Sequence, residues 1–374
     1  MKDSSKLSSL LQKREAENSL RELRQLSADL IDFSSNDYLG LARNLDLKNR
    51  IHEQHSAHSD LNGSTGSRLI SGNNKLIEDT EQYLAQFFEQ ESSTIFSSGY
   101  MANLAFYSSV PQKGDTILYD ELSHACIKDG CRLSLAKRFS FKHNNLQDLA
   151  HKLSKAEGNV YIAVESVYSM DGDLCPLEEI CDLAAKHSAF VIVDEAHSTG
   201  IWGNQGQGLV QQLGLQNKVA AVIYTFGKAM GIHGACIAGS QNLKSFIINF
   251  ARPFIYTTAP SNHETISIQE AFQLRKSDPK PAEELFKLIN YFNKKLPAYS
   301  SASPIKAITI SGNDQTKNLA NTLQEKGLDI RPILSPTVKE GSERLRICLH
   351  SFNTQKEIDF LCETLTLNSP KQFS

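Results

Sequence analysis

"AFVIVDEAHS", residues 189–198, runs five apolar residues into an acid, Asp194, and places His197 three positions further on. An uninterrupted apolar run that ends in polar residues reads as a strand buried on both faces of a parallel sheet. A carboxylate at the end of such a strand is costly unless a cation or hydrogen-bond donors meet it. Asp194 therefore reads either as the N-cap of a following helix or as the partner of a positively charged ligand atom. His197 alone reads as a structural histidine, and it is Asp194 beside it that makes it a candidate for the same ligand.

Outward from this run the pattern repeats. "NVYIAVES" (159–166) and "VAAVIYTFGK" (219–228) are similar apolar runs, spaced about 30 residues apart. Helical periodicity lies between some of them, as in "PLEEICDLAAKHS" (176–188) with Pro176 at the first turn, and upstream in "KLIEDTEQYLAQFF" (75–88). Strands and helices in alternation predict βαβ units and an α/β fold with a mostly parallel sheet. In such sheets the ligand sits beyond the carboxyl ends of the strands, where Glu165-Ser166, Asp194 to His197, and Thr225 to Lys228 all fall. One crevice is expected to hold all three.

Leu7, Leu10, Leu11, Leu20 and Leu23 predict an amphipathic helix over 5–26, packed on a neighbour or a second subunit. "FSSNDYLGL" (33–41) breaks it with turn residues. "LRKSDPKPAEELF" (274–286) reads as a boundary. The expected divisions are an N-terminal helical segment (1–32), a large domain (33–270) and a smaller α+β domain (271–374).

The 374 residues carry a formal net charge of −3, with 40% hydrophobic and 22% charged residues, which exerts no overall pull toward nucleic acid. Seven cysteines, odd in number and scattered, lack zinc-site spacing and are expected to be reduced thiols. The N-terminus lacks a signal-peptide core, and no apolar run approaches the ~18 residues of a membrane helix. A cytoplasmic protein without membrane contact or bound metal is the expectation.

Lys228 lies in "TFGKAMG" (225–231). Taken alone it reads as an exposed turn. Some 30 residues after Asp194-x-x-His197, it reads instead as an amine held for Schiff-base formation with an aldehyde. Its glycines would let the backbone pass close to a ring and a phosphate, and Thr225 offers that phosphate a hydroxyl. The cofactor that needs such a lysine, with an acid keeping its pyridinium nitrogen charged, is pyridoxal 5'-phosphate (PLP). "DEAH" also spells a helicase tetrad, but a phosphate loop would require a glycine at Val222 and a hydroxyl at Ala229. "SSGYMAN" (97–103) offers Ser-Gly at a helix start, suited to an anion. His124 reads equally as a ring-stacking or a core residue. Of Arg344 and Arg346, in "SERLRICLH", one is expected to face solvent and the other to point inward as a carboxylate clamp.

Together, "FSSNDYLGL", "GSTGSRLISG", "FSSGYMAN", "YDELSHACI", "ESVYSMDGD", "VDEAHSTG", "TFGKAMG", "RPFIYTTAP" and "RLRICLH" resemble the α-oxoamine synthases, and the resemblance runs from about residue 10 to 360. These are fold-type I PLP-dependent transferases, aspartate aminotransferase-like, that condense an amino acid with an acyl thioester and release CO2. The resemblance implies that Lys228 bonds the cofactor aldehyde and handles the substrate Cα proton. Asp194 would pair with the pyridinium, His197 with the phenolic oxygen, and His124 would stack on the ring. Gly99, Tyr100 and Thr225 would hold the phosphate with Thr258 of a partner subunit, which implies a homodimer. Asn36 and Arg346 would address the amino-acid carboxylate, with Glu165 and Ser169 near the reacting centre. Arg21, ahead of Arg14, is a candidate for a distal carboxylate on the acyl donor, though either also reads as a solvated arginine. The chain departs from the family pattern at Ile77, where many relatives carry histidine, and at Gln207 in "GNQGQG" (203–208), where they carry arginine. A non-catalytic binding protein of the same fold is the alternative, against which Lys228 and Asp194 argue.

Overall fold

A computed structural model describes residues 5–23, 29–58 and 61–368. The chain forms two compact units. One is built from Asn36–Ser169 and Asp173–Glu283, the other within Met1–Ser35, Met170–Gly172 and Glu284–Ser374. In chain order the described strands are β1 (Ile31–Asp32), β2 (Ser92–Phe96), β3 (Thr116–Asp120), β4 (Lys137–Phe141), β5 (Val160–Glu165), β6 (Phe190–Asp194), β7 (Ala221–Thr225), β8 (Ala235–Gly239), β9 (Ile305–Thr309), β10 (Leu328–Asp329), β11 (Arg331–Ile333) and β12 (Arg344–Cys348).

In the first unit, β2 to β8 form one sheet in the order β2-β8-β7-β6-β5-β3-β4. It is parallel from β7 to β4, and β8 runs antiparallel to both of its neighbours. Every residue of β2, β7 and β8 is buried, as are all but one in each of β5 and β6. Burial on both faces is why these strands read as continuous apolar runs rather than alternating ones. Ile117, Ala163, Ile192 and Ile223 share a core cluster with Phe106, Tyr107 and Cys131 from the helices Gly99–Ser109 and Ala125–Leu133. The helix Lys75–Phe87 starts where the Asn74 side chain accepts the Ile77 N–H, one of the donors that a helix start leaves open. All seven cysteines are buried and unbridged. Among the described residues no helix is long and apolar enough to cross a membrane.

In the second unit, β11-β12-β9 form an antiparallel sheet, and β1 pairs in parallel with β10 through Ile31–Leu328 and Asp32–Asp329. The helix expected over 5–26 is shorter, Ser5–Ala16, and residues 24–26 lie outside the described ones. Asn18 takes a left-handed conformation (φ 48°) and donates to Asp314 Oδ1 at 2.7 Å, which stops the helix before Leu20 and Leu23. Leu7, Leu10 and Leu11 are exposed, so this chain alone does not bury the apolar face on which the expectation rested.

Candidate active site

Parallel pairing sets Glu165 of β5 opposite Asp194 of β6, and Asp194 opposite Ile223 of β7, two residues short of Thr225. The three polar clusters thus stand at the carboxyl ends of three adjacent strands. Asp194 is buried, with Oδ1 accepting from the Ala196 N–H at 2.8 Å and Oδ2 from Asn103 Nδ2 at 2.6 Å. Asn103, wholly buried in the helix Gly99–Ser109, also donates to Gly99 O at 3.0 Å, so one amide links the start of that helix to the acid. Sequence reading missed Asn103, since an asparagine inside a helical stretch carries no signal of its partner.

Glu165 Oε1 accepts the His124 N–H at 2.5 Å. Burial, and then the nearby Asp194, push the Glu165 carboxyl well above the ordinary range. His124 is the N-cap of the helix Ala125–Leu133: its Nδ1 accepts the Cys126 N–H at 3.3 Å and lies 2.9 Å from Cys126 Sγ. Burial lowers the His124 pKa, Asp194 opposes that shift and Lys228 reinforces it, so all three sit within one another's field.

Lys228 occupies the loop joining β7 to β8, half-buried, with Nζ donating to Thr225 Oγ1 at 3.4 Å. Gly231 closes that loop at φ 66°, and a Cβ there would lie 2.2 Å from the Ala42 N, so it is small for packing against the 41–42 backbone. A Cβ on Gly99 would meet Thr225 Cγ2 at 2.3 Å, which brings the start of the helix Gly99–Ser109 against the end of β7. The first N–H groups of a helix have no partner within it. Ser98 Oγ takes that of Met101, and those of Gly99 and Tyr100 precede it. The Tyr100 phenol itself turns to donate to Asp129.

The tetrad after β6 divides. Glu195 is wholly buried and accepts from Leu209 N (3.0 Å), Val210 N (2.7 Å) and Ser166 Oγ (3.0 Å), a structural anchor for the 208–212 turn. His197 is buried with Nδ1 2.8 Å from the Tyr38 hydroxyl, which donates to Asn36 Oδ1 at 2.9 Å. Asn36, Tyr38 and His197 therefore form one connected group. Ser169 is half-buried in the turn closed by the Val167–Leu174 bridge. Thr258 is exposed, next to Ala259, whose N–H donates to Gly66 O at 3.0 Å.

Arg346 and Arg21 belong to the second unit. The reading of Arg344 and Arg346 as opposed in direction is corrected: two apart on β12, they stand on the same face of the strand. Arg344 is the more buried and is ion-paired with Asp171, whereas Arg346 is half-buried with Nη1 3.0 Å from Cys348 Sγ. Arg21 is exposed, beyond the end of the N-terminal helix, and donates to Thr337 Oγ1 at 3.0 Å. Arg14 lies on the helix itself.

These residues fit PLP on two observations. Asp194, a buried carboxylate held by the Ala196 N–H and the Asn103 amide, offers the acceptor that a pyridinium N–H requires. The start of the helix Gly99–Ser109, with Thr225 against it, is an anion cradle beside an amine. Among the described residues no group of three or more His, Cys, Asp or Glu side chains is placed to hold a metal.

The family model described as aminotransferase class I and II matches residues 28–365. The chain is similar to an 8-amino-7-oxononanoate synthase of Emericella nidulans, 37% identical over 95% of this chain and 93% of that one. Among solved structures it is similar to a serine palmitoyltransferase from S. paucimobilis with bound PLP–myriocin aldimine (TM-score 0.88, 25% identity, 97% of this chain and 96% of that one). It is also similar to the 8-amino-7-oxononanoate synthase of Francisella tularensis (TM-score 0.79, 28% identity, 91% and 98%).

Proposed function

Because the chain belongs to the aminotransferase class I and II family, and within it to the α-oxoamine synthases, we propose that it condenses L-alanine with a pimeloyl thioester, CoA or carrier-protein bound. The products are 8-amino-7-oxononanoate, CO2 and the free thiol, a step of biotin synthesis. The observation that carries this reading is the alignment of Glu165, Asp194 and Thr225–Lys228 on three adjacent parallel strand ends.

When bound, PLP supplies an aldehyde that takes up amines and a ring that withdraws electrons from the amino acid's Cα. Asp194, held in place by Asn103 and the Ala196 N–H, would accept a hydrogen bond from the ring nitrogen and keep it charged. Lys228 Nζ would be the amine that holds the cofactor's aldehyde carbon, and the same side chain would carry the substrate's Cα proton. Gly99, Tyr100 and Thr225 hold the phosphate, the first two through N–H groups at the helix start, and Thr258 of a second subunit completes that cradle. Asn36 and Arg346 address the amino-acid carboxylate, with Glu165 and Ser169 near the reacting centre and His124 over the ring. Arg21 binds the far carboxylate of the pimeloyl chain. The working unit is a cytoplasmic homodimer.

Borohydride reduction of the PLP-loaded protein should fix a pyridoxyl group on Lys228; labelling elsewhere, or none, sinks the reading. Substrate choice is settled by thiol release. L-alanine with pimeloyl thioester should exceed both glycine with acetyl thioester, the 2-amino-3-ketobutyrate CoA ligase reaction, and serine with palmitoyl thioester. The likeness to serine palmitoyltransferase makes that last pair the second reading, and a preference for it displaces the first.

A further inference from the structure

Tyr38 is wholly buried, and its hydroxyl stands between two side chains proposed to face ligand. It donates to Asn36 Oδ1 at 2.9 Å and lies 2.8 Å from His197 Nδ1. The Tyr38 and His197 rings are tilted by 56° with centroids 6.1 Å apart, so the short contact between them is the hydroxyl's. A phenol has one proton, and an amide carbonyl oxygen only accepts. With that proton committed to Asn36, the Tyr38 oxygen presents a lone pair to His197. Nδ1 must then carry the hydrogen, and in the neutral ring the lone pair is on Nε2.

We propose that Tyr38 is a positioning residue that holds His197 as its Nδ1–H tautomer and ties it to Asn36, so that amino-acid binding at Asn36 changes how His197 meets the cofactor's ring oxygen. This rests on the proposed function, in which Asn36 addresses the substrate carboxylate and His197 the ring oxygen. A carboxylate that accepts from the Asn36 amide N–H strengthens Oδ1 as an acceptor. Tyr38 then donates more strongly, and its oxygen becomes a better acceptor for Nδ1–H, as successive hydrogen bonds polarise one another. The effect raises the proton affinity of His197 and turns Nε2 from an acceptor toward a donor at the ring oxygen.

Histidine two-bond 15N–1H spectra of the full-length chain test the tautomer without cofactor, with His197 identified by the signal lost in His197→Asn. The wild type should show His197 as Nδ1–H, and Tyr38→Phe should move it toward Nε2–H. An Nε2–H tautomer in the wild type, or an unchanged His197 signal in the variant, overturns the proposal. The wild-type spectrum alone decides it if the variant does not fold. In the PLP-loaded enzyme, Tyr38→Phe should raise the L-alanine KM about fivefold, the worth of one hydrogen bond. It should also shift the pH midpoint of the bound-cofactor absorption with L-alanine present by ~0.5–1 unit. Unchanged KM and midpoint overturn the tie to Asn36. Failure to load PLP on Lys228 sinks the proposed function instead, and the cofactor-free spectrum still decides the tautomer.

Discussion

Glu165 shows how position changes the chemistry of one side chain. Its carboxyl is pushed up to about 8 from an ordinary 4.5, first by burial and then by the neighbouring Asp194. The folded protein keeps a proton that the unfolded chain releases above the ordinary carboxyl range. Stability is therefore undiminished below that range and falls as pH rises toward about 8. Glu165→Gln keeps an acceptor for the His124 N–H and removes the titration, so it should flatten this decline. Urea denaturation at several pH values across the window checks it; parallel slopes for wild type and variant would mean that Glu165 is not the group responsible. Asp194 was legible in the sequence as a candidate because an acid after an apolar run is costly to bury, and Lys228 only through its spacing from Asp194-x-x-His197, since alone it reads as an exposed turn. Asn103, Tyr38 and Cys126 were not, because each acts on a residue distant in sequence or through a capping contact that residue type alone does not reveal.

Elements are held together by buried polar contacts as well as apolar ones. Glu81, on the helix Lys75–Phe87, accepts from Arg68 Nη1 (2.7 Å) and Nη2 (3.3 Å), from Lys244 Nζ (2.8 Å) and from the Ile95 N–H (2.9 Å). One buried carboxylate so joins that helix to β2, to the 66–72 turn and to the helix Gln241–Phe250. Glu81→Ala leaves two cations and a strand N–H without their acceptor and should cost about 3 kcal/mol. The exposed pair Lys75–Asp79 on the same helix is screened by solvent and should contribute little, so Lys75→Ala serves as the comparison. Equal urea midpoints for the two variants would contradict this account. The apolar runs of β5, β6 and β7 were readable because both of their faces are covered. The antiparallel direction of β8 was not, because a fully buried run looks the same read either way. The N-terminal helix was overextended because leucine spacing continues past Asn18, whereas the backbone turns there.

At the scale of the molecule, the proposed site needs Thr258 of a second copy. Sedimentation should give a dimer. Thr258→Ala and Lys228→Ala, each impaired alone, should recover activity on mixing toward about a quarter of wild type, because half of the random dimers hold one intact site. A monomer, or no recovery, removes the partner's Thr258 from the scheme. By itself the sequence determined the α/β class, the family motifs and the candidate lysine and acid, because apolar runs and costly buried charges leave a trace in residue order. Only the tertiary structure decided which groups meet. Strand register set Glu165 beside Asp194, a helix start met Thr225, Glu195 turned away from His197, and Tyr38 came to lie between Asn36 and His197. The physical reason is that a hydrogen bond or a neighbouring charge acts over a few ångströms of space, and residues far apart in the chain become neighbours only when the sheet and its helices pack.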